Sequence, residues 1–225
     1  MIRIGITGAD GFLGWHLRVF LRAFPGIAVV PAGRDVFANP EALRRFAAAV
    51  DVIVHLAGAN RGSDEEIRAI NTTLAARLVR ACEEAGAGPH VLFANSTHYK
   101  RASAYGESKR IAAQLFAEWA EKSKARFTNL VMPHVFGEGG RPFYNSAVAT
   151  FCHQLAHGEE PHIIDDGELE LIHAQRVAEQ IKSAIDNASA GEIRLQGTAI
   201  RVSAVLAQLR EMAMGGRAEY PESAE

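Results

Sequence analysis

Tyr105 and Lys109 are the residues of this chain whose types and spacing are best suited to proton chemistry. They are four residues apart, so on a helix their side chains would share one face. A lysine ammonium nearby favours a phenolate, and we therefore expect Lys109 to lower the pKa of Tyr105. A phenol tuned in this way is a usable proton donor to a ketone at neutral pH.

Two hydroxyl side chains, Ser96 and Thr97, end the apolar run that begins at His90. Ligands of open α/β sheets bind at the carboxyl ends of the strands, so both hydroxyls are expected to face one crevice. Thr97 can hydrogen-bond the same substrate oxygen that Tyr105 would protonate. The Tyr-x-x-x-Lys spacing alone is a frequent accident, and the strand-end hydroxyl gives it a geometric partner.

A glycine-rich turn near the start of the chain follows an apolar run with β-branched residues and precedes a helical pattern. Gly8 permits a sharp turn, Gly11 lets backbone N–H groups approach a pyrophosphate, and Gly14 lets the helix pack closely on the strand. A plain tight turn would use the same residues, but the position in the first strand–helix unit favours a dinucleotide. The positive nicotinamide left after hydride loss would further favour the phenolate of Tyr105.

The elements needed to hold these groups together alternate along the chain as strands and helices. Apolar runs at 27–30, 50–56, 90–95 and 127–132 are separated by helical patterns. The run at 50–56 is almost continuously apolar, as expected when helices cover both faces of a sheet. We therefore predict an α/β fold with a Rossmann-type doubly wound parallel sheet over residues 1–137. A small substrate-binding lobe over 138–225 is expected to be interleaved with this core as a single structural unit.

Arg34 follows the second strand, where such folds place the adenosine ribose. An acidic residue there would accept from the 2′-hydroxyl of NAD, whereas a guanidinium suits the 2′-phosphate of NADPH. A solvated surface arginine is the alternative. Asp35 could lie near the adenine, pair with Arg34, or cap the next helix.

Two polar residues have a structural interpretation beside a functional one. His55 is expected to be packed inside its strand, because isolated core histidines are common. Asn71 begins a long helix and could merely hydrogen-bond a neighbouring backbone group.

Composition excludes several classes of function. The 225 residues carry a net charge of −2, which gives no strong field for nucleic acid or an anionic membrane. The N-terminus lacks the features of a signal peptide, and Cys82 and Cys152 are expected to be reduced, so we expect a cytoplasmic protein. The histidines show no metal-ligand spacing, and we predict no metal site.

These motifs resemble the extended short-chain dehydrogenase/reductase family, also called the NAD-dependent epimerase/dehydratase family. The resemblance rests on residues 7–14, 55–58, 71, 96–97, 105–109 and 133–137. It implies that Tyr105 is the proton donor or acceptor, that Lys109 orients the nicotinamide ribose, and that Thr97, with Ser96 as the adjacent candidate, binds the substrate oxygen. It also implies a homodimer.

Residues 57–61, 104–109 and 142–152 are similar to the reductase domain of bacterial surface-polysaccharide enzymes. That likeness implies NADPH-dependent reduction of the C4 ketone of a UDP-linked 2-acetamido-2,6-dideoxy-hexose, with Asn145 on the sugar nucleotide. His98 and Tyr99 stand where dehydratases of the family carry an acidic pair, which argues against dehydration.

We expect the cofactor and the substrate to be bound by two sets of residues. The cofactor set is Gly8, Asp10, Gly11, Phe12, Leu13, Arg34, Asp35, Leu56, Ala57, Gly58, Asn71, Lys109, Pro133 and Val135. The substrate set is Asn60, Thr97, His98, Tyr105, Arg141 and Asn145. A nucleotide-sugar epimerase with bound NAD is the first alternative function, and a non-catalytic dinucleotide sensor is the second.

Overall fold

The computed structural model describes residues 1–215, which form nine strands and eight α-helices. The strands are β1 (Ile2–Thr7), β2 (Ile27–Ala32), β3 (Val52–His55), β4 (His90–Ser96), β5 (Phe127–Met132), β6 (His134–Phe136), β7 (Glu168–His173), β8 (Gly191–Arg194) and β9 (Thr198–Arg201). The helices are α1 (Phe12–Leu21), α2 (Arg34–Ala38), α3 (Pro40–Ala48), α4 (Asp64–Ala85), α5 (Ala104–Ser123), α6 (Ala147–Ala156), α7 (Ala174–Asp186) and α8 (Val202–Gly215). A short 3₁₀ turn spans Thr97–Lys100.

A six-stranded sheet in the order β2-β1-β3-β4-β5-β8 forms the centre of the first unit, and every neighbouring pair is parallel. The strand order reverses between β1 and β3, which is the place where open α/β sheets bind ligands. All four residues of β3 are buried, as its apolar run predicts. The doubly wound α/β prediction is therefore confirmed.

One aromatic cluster lies between the sheet and the helices on one of its faces. The Phe93 and Phe116 rings of β4 and α5 lie 5.4 Å apart, and the His55 ring lies within 6 Å of both. All three side chains are at most 2% exposed. The expectation that His55 is packed is confirmed, and the cluster ties α5 to the strands whose ends carry the candidate site.

The chain divides into two compact units at boundaries that differ from the predicted ones. The first unit holds residues 1–132 and 174–195, and the second holds 133–173 and, within the described residues, 196–215. The prediction assigned α7 and β8 to the small lobe, whereas both lie in the first unit. The physical reason is that β8 pairs with β5 as the sixth strand, and α7 packs its buried face against α1.

The second unit contains a three-stranded sheet, β6-β7-β9, and the helices α6 and α8. Its core is formed by Phe151 of α6 and by Val205 and Leu206 of α8. The strand β9 pairs with β7 and leads directly into α8. The helix begins at Val202, and Asp166 caps it by accepting bonds from the backbone N–H and the hydroxyl of Ser203.

Residues 1–215 contain neither a membrane-spanning helix nor a metal-binding cluster of side chains. No helix in that range has the length and apolarity to cross a bilayer. Within the same range, no three histidine, cysteine or acidic side chains come together as a metal-binding group.

Candidate active site

The turn between β1 and α1 is closely packed against the end of β3. Gly8 has a φ of +66°, and a Cβ on it would lie 2.8 Å from the backbone nitrogen of Ala57. A Cβ on Gly14 would overlap the carbonyl oxygens of Gly8 and Ala9. Both positions therefore require glycine, one for its conformation and its close approach and the other for close packing alone.

The N-terminus of α1 has no side-chain cap. Gly11 occupies the N-cap position and makes no side-chain cap hydrogen bond to the first N–H groups of the helix. Phe12 and Leu13 are the first helical residues, so their backbone N–H groups belong to the end that carries partial positive charge. This donor set and the glycine packing fit the diphosphate of a dinucleotide.

Hydrogen bonds of Thr7 with His55 and Ala57 support this turn. The Thr7 hydroxyl lies 2.8 Å from Nδ1 of His55 and accepts a 3.3 Å bond from the backbone N–H of Ala57. Burial, with a smaller effect of the Lys109 charge, lowers the pKa of His55 to about 3, so its ring is neutral at pH 7. The sequence did not single out Thr7, which links the ends of β1 and β3.

Both a positively and a negatively charged side chain lie near the predicted position of the adenosine ribose. Arg34 and Asp35 are the first residues of α2, and both are exposed. A Cβ on Gly33 would lie 2.8 Å from Oδ1 of Asp35 and 3.6 Å from Oδ2 of Asp10. Asp10 also pairs with Arg18, at 3.4 Å. Two carboxylates therefore accompany the guanidinium group from which NADPH was predicted.

Tyr105 lies in the first turn of α5, next to the end of β4. Ser103 caps this helix by accepting a 3.1 Å bond from the N–H of Gly106. Burial raises the pKa of Tyr105, while a side-chain hydrogen bond with Ser96 opposes the rise. The predicted lowering of this pKa is wrong for the protein alone, because desolvation of the phenolate outweighs the favourable contact.

Lys109 is buried close to Tyr105, and three contacts define the position of its ammonium group. Its Nζ donates a 2.7 Å hydrogen bond to the carbonyl of Ala94 and lies 4.7 Å from the centre of the Phe93 ring. The same nitrogen is 5.8 Å from the centre of the Tyr105 ring. Burial lowers the pKa of Lys109 to about 8.

Ser96, rather than Thr97, is the strand-end hydroxyl that meets Tyr105. Ser96 is the last residue of β4, and its Oγ also accepts a 3.2 Å bond from the N–H of His98. Thr97 already belongs to the 3₁₀ turn that follows. The prediction that Thr97 comes first is corrected by this one-residue difference in where the strand ends.

Asn71 is engaged by protein groups on three sides. Its Oδ1 accepts from the N–H of Ala59 at 2.7 Å, and its Nδ2 donates to the carbonyl of Ala59 and to Oγ of Ser108. Ser108 in turn donates to the carbonyl of Tyr105 at 2.8 Å. These bonds agree with the structural alternative, in which Asn71 positions the loop after β3 and the first turn of α5. Its predicted contact with the cofactor stays a prediction.

The remaining predicted residues of the first unit lie on its connecting segments. Leu56, Ala57 and Gly58 directly follow β3, and a Cβ on Gly58 would lie 2.9 Å from Oδ1 of Asn71. Asn60 is exposed in the same segment, and His98 lies in the 3₁₀ turn. The first unit thus places Ser96, Tyr105, Lys109 and the segment after β3 in one network.

Four predicted residues belong to the second unit. Pro133 is buried at its start, and Val135 lies in β6, paired with Ile172 of β7. Arg141 and Asn145 lie in the segment between β6 and α6, where the Arg141 guanidinium stands 5.2 Å from the centre of the Tyr144 ring. Their predicted contacts with cofactor and substrate stay predictions.

Comparison with known proteins identifies the family. The model of the NAD dependent epimerase/dehydratase family matches residues 4–195. The chain belongs to this family. The resemblance predicted from the glycine turn and the Tyr–Lys pair is confirmed.

Several relatives and solved structures are similar to the chain. It is 33% identical, over 87% of its length, to a Pseudomonas aeruginosa UDP-2-acetamido-2,6-beta-L-arabino-hexul-4-ose reductase, and it spans about half (52%) of that protein. The capsular polysaccharide assembling protein CapF of Staphylococcus aureus matches with a TM-score of 0.82 and 28% identity, over 94% of this chain and 58% of that one. The Thermus thermophilus UDP-glucose 4-epimerase in complex with NAD shares the fold, with a TM-score of 0.80 and 19% identity over 95% and 84% of the two chains.

Proposed function

We propose that this chain is an NADPH-dependent reductase of the C4 ketone of a UDP-linked 6-deoxy sugar, in surface-polysaccharide biosynthesis. The observation that carries the proposal is the hydrogen bond between Tyr105 and Ser96, close to the buried Lys109. These residues and the glycine turn lie at the carboxyl ends of strands of the same sheet. The 33% identity to a reductase of a UDP-linked hexulose supports the substrate class.

Tyr105 is the proton donor of the proposed reaction. When bound, the cofactor supplies the hydride that reduces the ketone carbon. The phenol of Tyr105 gives its proton to the ketone oxygen, so that the carbonyl becomes a secondary alcohol. Burial raises the pKa of Tyr105, so the phenol carries its proton in the protein alone. For that proton to leave, the positive charge of Lys109 must offset the cost of burying the phenolate.

Ser96 and Lys109 support that transfer from two sides. The Ser96 hydroxyl, already bonded to Tyr105, holds the ketone oxygen within reach of the phenol. The Lys109 ammonium stabilises the phenolate that forms as the proton leaves, and its burial strengthens this effect. In the resemblance the same lysine orients the nicotinamide ribose, and Asn145 contacts the nucleotide sugar. We propose that Arg141 also binds the substrate.

The choice of NADPH rests on Arg34, whose guanidinium suits a 2′-phosphate. A matched pair of variants tests it. We expect Arg34→Ala to weaken NADPH binding by at least about tenfold with little change for NADH, since a charge-assisted bond contributes roughly 1.5–3 kcal/mol. Asp35→Ala would strengthen NADPH binding. Equal affinities of the wild type for the two cofactors would remove the preference.

An epimerase with bound NAD is the second candidate function. The Asp10 and Asp35 carboxylates near Gly33 favour it, because a carboxylate there accepts from the 2′-hydroxyl of NAD. Net oxidation of NADPH separates the two functions, since an epimerase returns its hydride to the sugar.

The deciding experiment mixes the protein with NADPH and a UDP-linked 2-acetamido-2,6-dideoxy-hexos-4-ulose. We expect one NADPH to be oxidised for each ketone lost. Ser96→Ala and Thr97→Val form a matched pair, and only the serine variant should lose most of its turnover. Epimerised sugar without NADPH loss would support the second candidate, and cofactor binding without turnover would indicate a sensor. The implied homodimer stays a prediction that sedimentation equilibrium would check.

A further inference from the structure

A chain of polar side chains crosses three neighbouring strands of the six-stranded sheet. It consists of Asn95 in β4, Asn129 in β5 and Glu192 in β8. Asn95 and Asn129 are 3% and 8% exposed, in strands whose other residues are mostly apolar. Buried amides need hydrogen-bond partners, because an unpaired buried polar group is strongly destabilising.

Every link of the chain is a hydrogen bond of ordinary length. Nδ2 of Asn95 donates to Oδ1 of Asn129 at 3.0 Å, and Nδ2 of Asn129 donates to Oε2 of Glu192 at 3.0 Å. At the other end, Oδ1 of Asn95 accepts from the backbone N–H of Ser96 at 2.8 Å. The chain therefore ends on the residue that contacts Tyr105.

The carboxylate of Glu192 sets the direction of all these bonds. An ionised carboxylate only accepts, so Asn129 must turn its NH₂ toward Glu192 and its oxygen toward Asn95. Asn95 must then turn its own oxygen toward the N–H of Ser96. The same carboxylate accepts from the Tyr99 hydroxyl at 3.2 Å, so it also holds the 3₁₀ turn that follows Ser96.

We propose that Asn95, Asn129 and Glu192 are positioning residues, which fix the backbone on both sides of Ser96 so that its hydroxyl meets Tyr105. The effect on turnover rests on the proposed function, because it assumes that Ser96 holds the substrate oxygen. The effect on the Ser96 backbone does not rest on it. Misplacement of a catalytic group by about 1 Å can cost on the order of a hundredfold in rate.

The same two strands carry a matched polar pair at their other end. Nε2 of His90 in β4 lies 2.8 Å from Oγ1 of Thr128 in β5, and Thr128 donates to the carbonyl of Ser189. Thr128 is fully buried, as Asn129 nearly is. This pair contacts neither Ser96 nor Tyr105 within the described hydrogen bonds, so it separates a general loss of stability from a local effect.

Two readouts distinguish positioning from mere structural support. Asn129→Leu should lower kcat and kcat/KM together by about tenfold or more, because Ser96 acts in the transition state. It should also speed hydrogen exchange of the Ser96 amide, measured by NMR, while NADPH affinity stays within about twofold. Thr128→Val should lower the melting temperature but leave kcat and the Ser96 amide unchanged.

Glu192 supplies a second test that avoids the buried core, because its residue is exposed. Glu192→Met should interrupt the chain at the sheet edge and reproduce both effects in milder form. Glu192→Gln keeps an oxygen that accepts from Asn129 and Tyr99, and it should restore most of kcat.

Two outcomes would overturn the proposal. One is an unchanged Ser96 exchange rate in both Asn129→Leu and Glu192→Met. The other is an equal fall of kcat in Asn129→Leu and Thr128→Val. If the wild type has no reductase activity, the proposed function fails. The exchange measurement still decides whether Asn95, Asn129 and Glu192 fix the backbone of Ser96.

Discussion

The N-termini of α1 and α5 lie at the carboxyl edge of the same sheet and differ in how their first N–H groups are treated. Gly11 starts α1 and makes no side-chain cap, whereas the hydroxyl of Ser103 caps the first turn of α5. The helices α3, α4 and α6 are also closed, by Asn39, Ser63 and Ser146.

The difference shows two uses of a helix end. An uncapped end leaves N–H donors and partial positive charge for an anionic ligand, which takes the place of the missing cap. A capped end is rigid and can hold a side chain, here Tyr105, in a fixed position. Each of the following predictions tests one of these two helix ends.

Gly14→Ala should have the largest effect, because its Cβ would overlap two carbonyl oxygens of the turn. We expect a loss of stability of about 3 kcal/mol or more and no measurable NADPH binding. Thermal unfolding and cofactor fluorescence titration would measure the two losses. Gly26→Ala is the control, since nothing lies within 4 Å of that Cβ. Normal cofactor affinity in Gly14→Ala would contradict the close packing of the turn.

Gly11→Asp should cap the N-terminus of α1 with a carboxylate. The backbone there is extended, but a Cβ would lie 3.2 Å from the carbonyl oxygen of Gly8, so that carbonyl must shift slightly to admit an aspartate. We expect stability to stay within about 1 kcal/mol of the wild type. NADPH affinity should fall by at least about tenfold, because the carboxylate takes the donors and repels the diphosphate. Asn39→Asp adds the same charge at a capped end and should leave affinity unchanged. The comparison fails if both variants bind NADPH equally.

Lys109→Met tests the buried charge in α5, the helix that Ser103 caps. We expect this buried charge to lower the stability of the wild type. Burial lowers the folded-state pKa of Lys109 to about 8, so the unfolded chain binds this proton more tightly. The wild type therefore gains stability as the pH rises from about 8 toward the higher pKa that Lys109 has in the unfolded chain. Below pH 8 we expect Lys109→Met to be more stable by on the order of 1 kcal/mol, and hydride transfer to be lost.

Denaturant unfolding of the wild type and Lys109→Met at pH 7 and pH 9.5 would check this sign. The advantage of the variant should shrink at the higher pH. An advantage that grows with pH would contradict the burial of a charged Lys109.

Ser103→Ala should have the smallest effect, and Ser63→Ala is its matched control. Each removes one side-chain cap, so each should cost about 1 kcal/mol of stability. Only Ser103→Ala should also lower kcat, by a few-fold, because the first turn of α5 carries Tyr105. Equal kcat values for the two variants would mean that the cap does not position the tyrosine.

Local patterns explain which parts of this molecule could be predicted from the sequence. The glycine turn, the buried strands and the Tyr–Lys spacing are set by short-range geometry, and they indicated the fold and the family. Ser108 stood inside the same motif, and Asn129 stood as a polar residue in an apolar strand. Either signal could have been followed to a buried hydrogen bond.

Features that depend on burial or on distant pairing could not be predicted in this way. The pKa of Tyr105 rises because of desolvation, which no spacing reports. The choice of Ser96 over Thr97 depends on where β4 ends to a single residue. The boundary of the units depends on β8 returning to pair with β5 after the chain has passed through β6, α6 and β7 of the second unit.

The most direct test of the central claim is a single turnover of the wild type and of Tyr105→Phe. Each protein is loaded with NADPH and mixed with the UDP-linked 4-keto sugar, and the absorbance of the reduced nicotinamide is followed. Tyr105→Phe should bind NADPH with wild-type affinity and transfer hydride at least about a hundredfold more slowly. Hydride transfer at the wild-type rate in Tyr105→Phe would contradict the account.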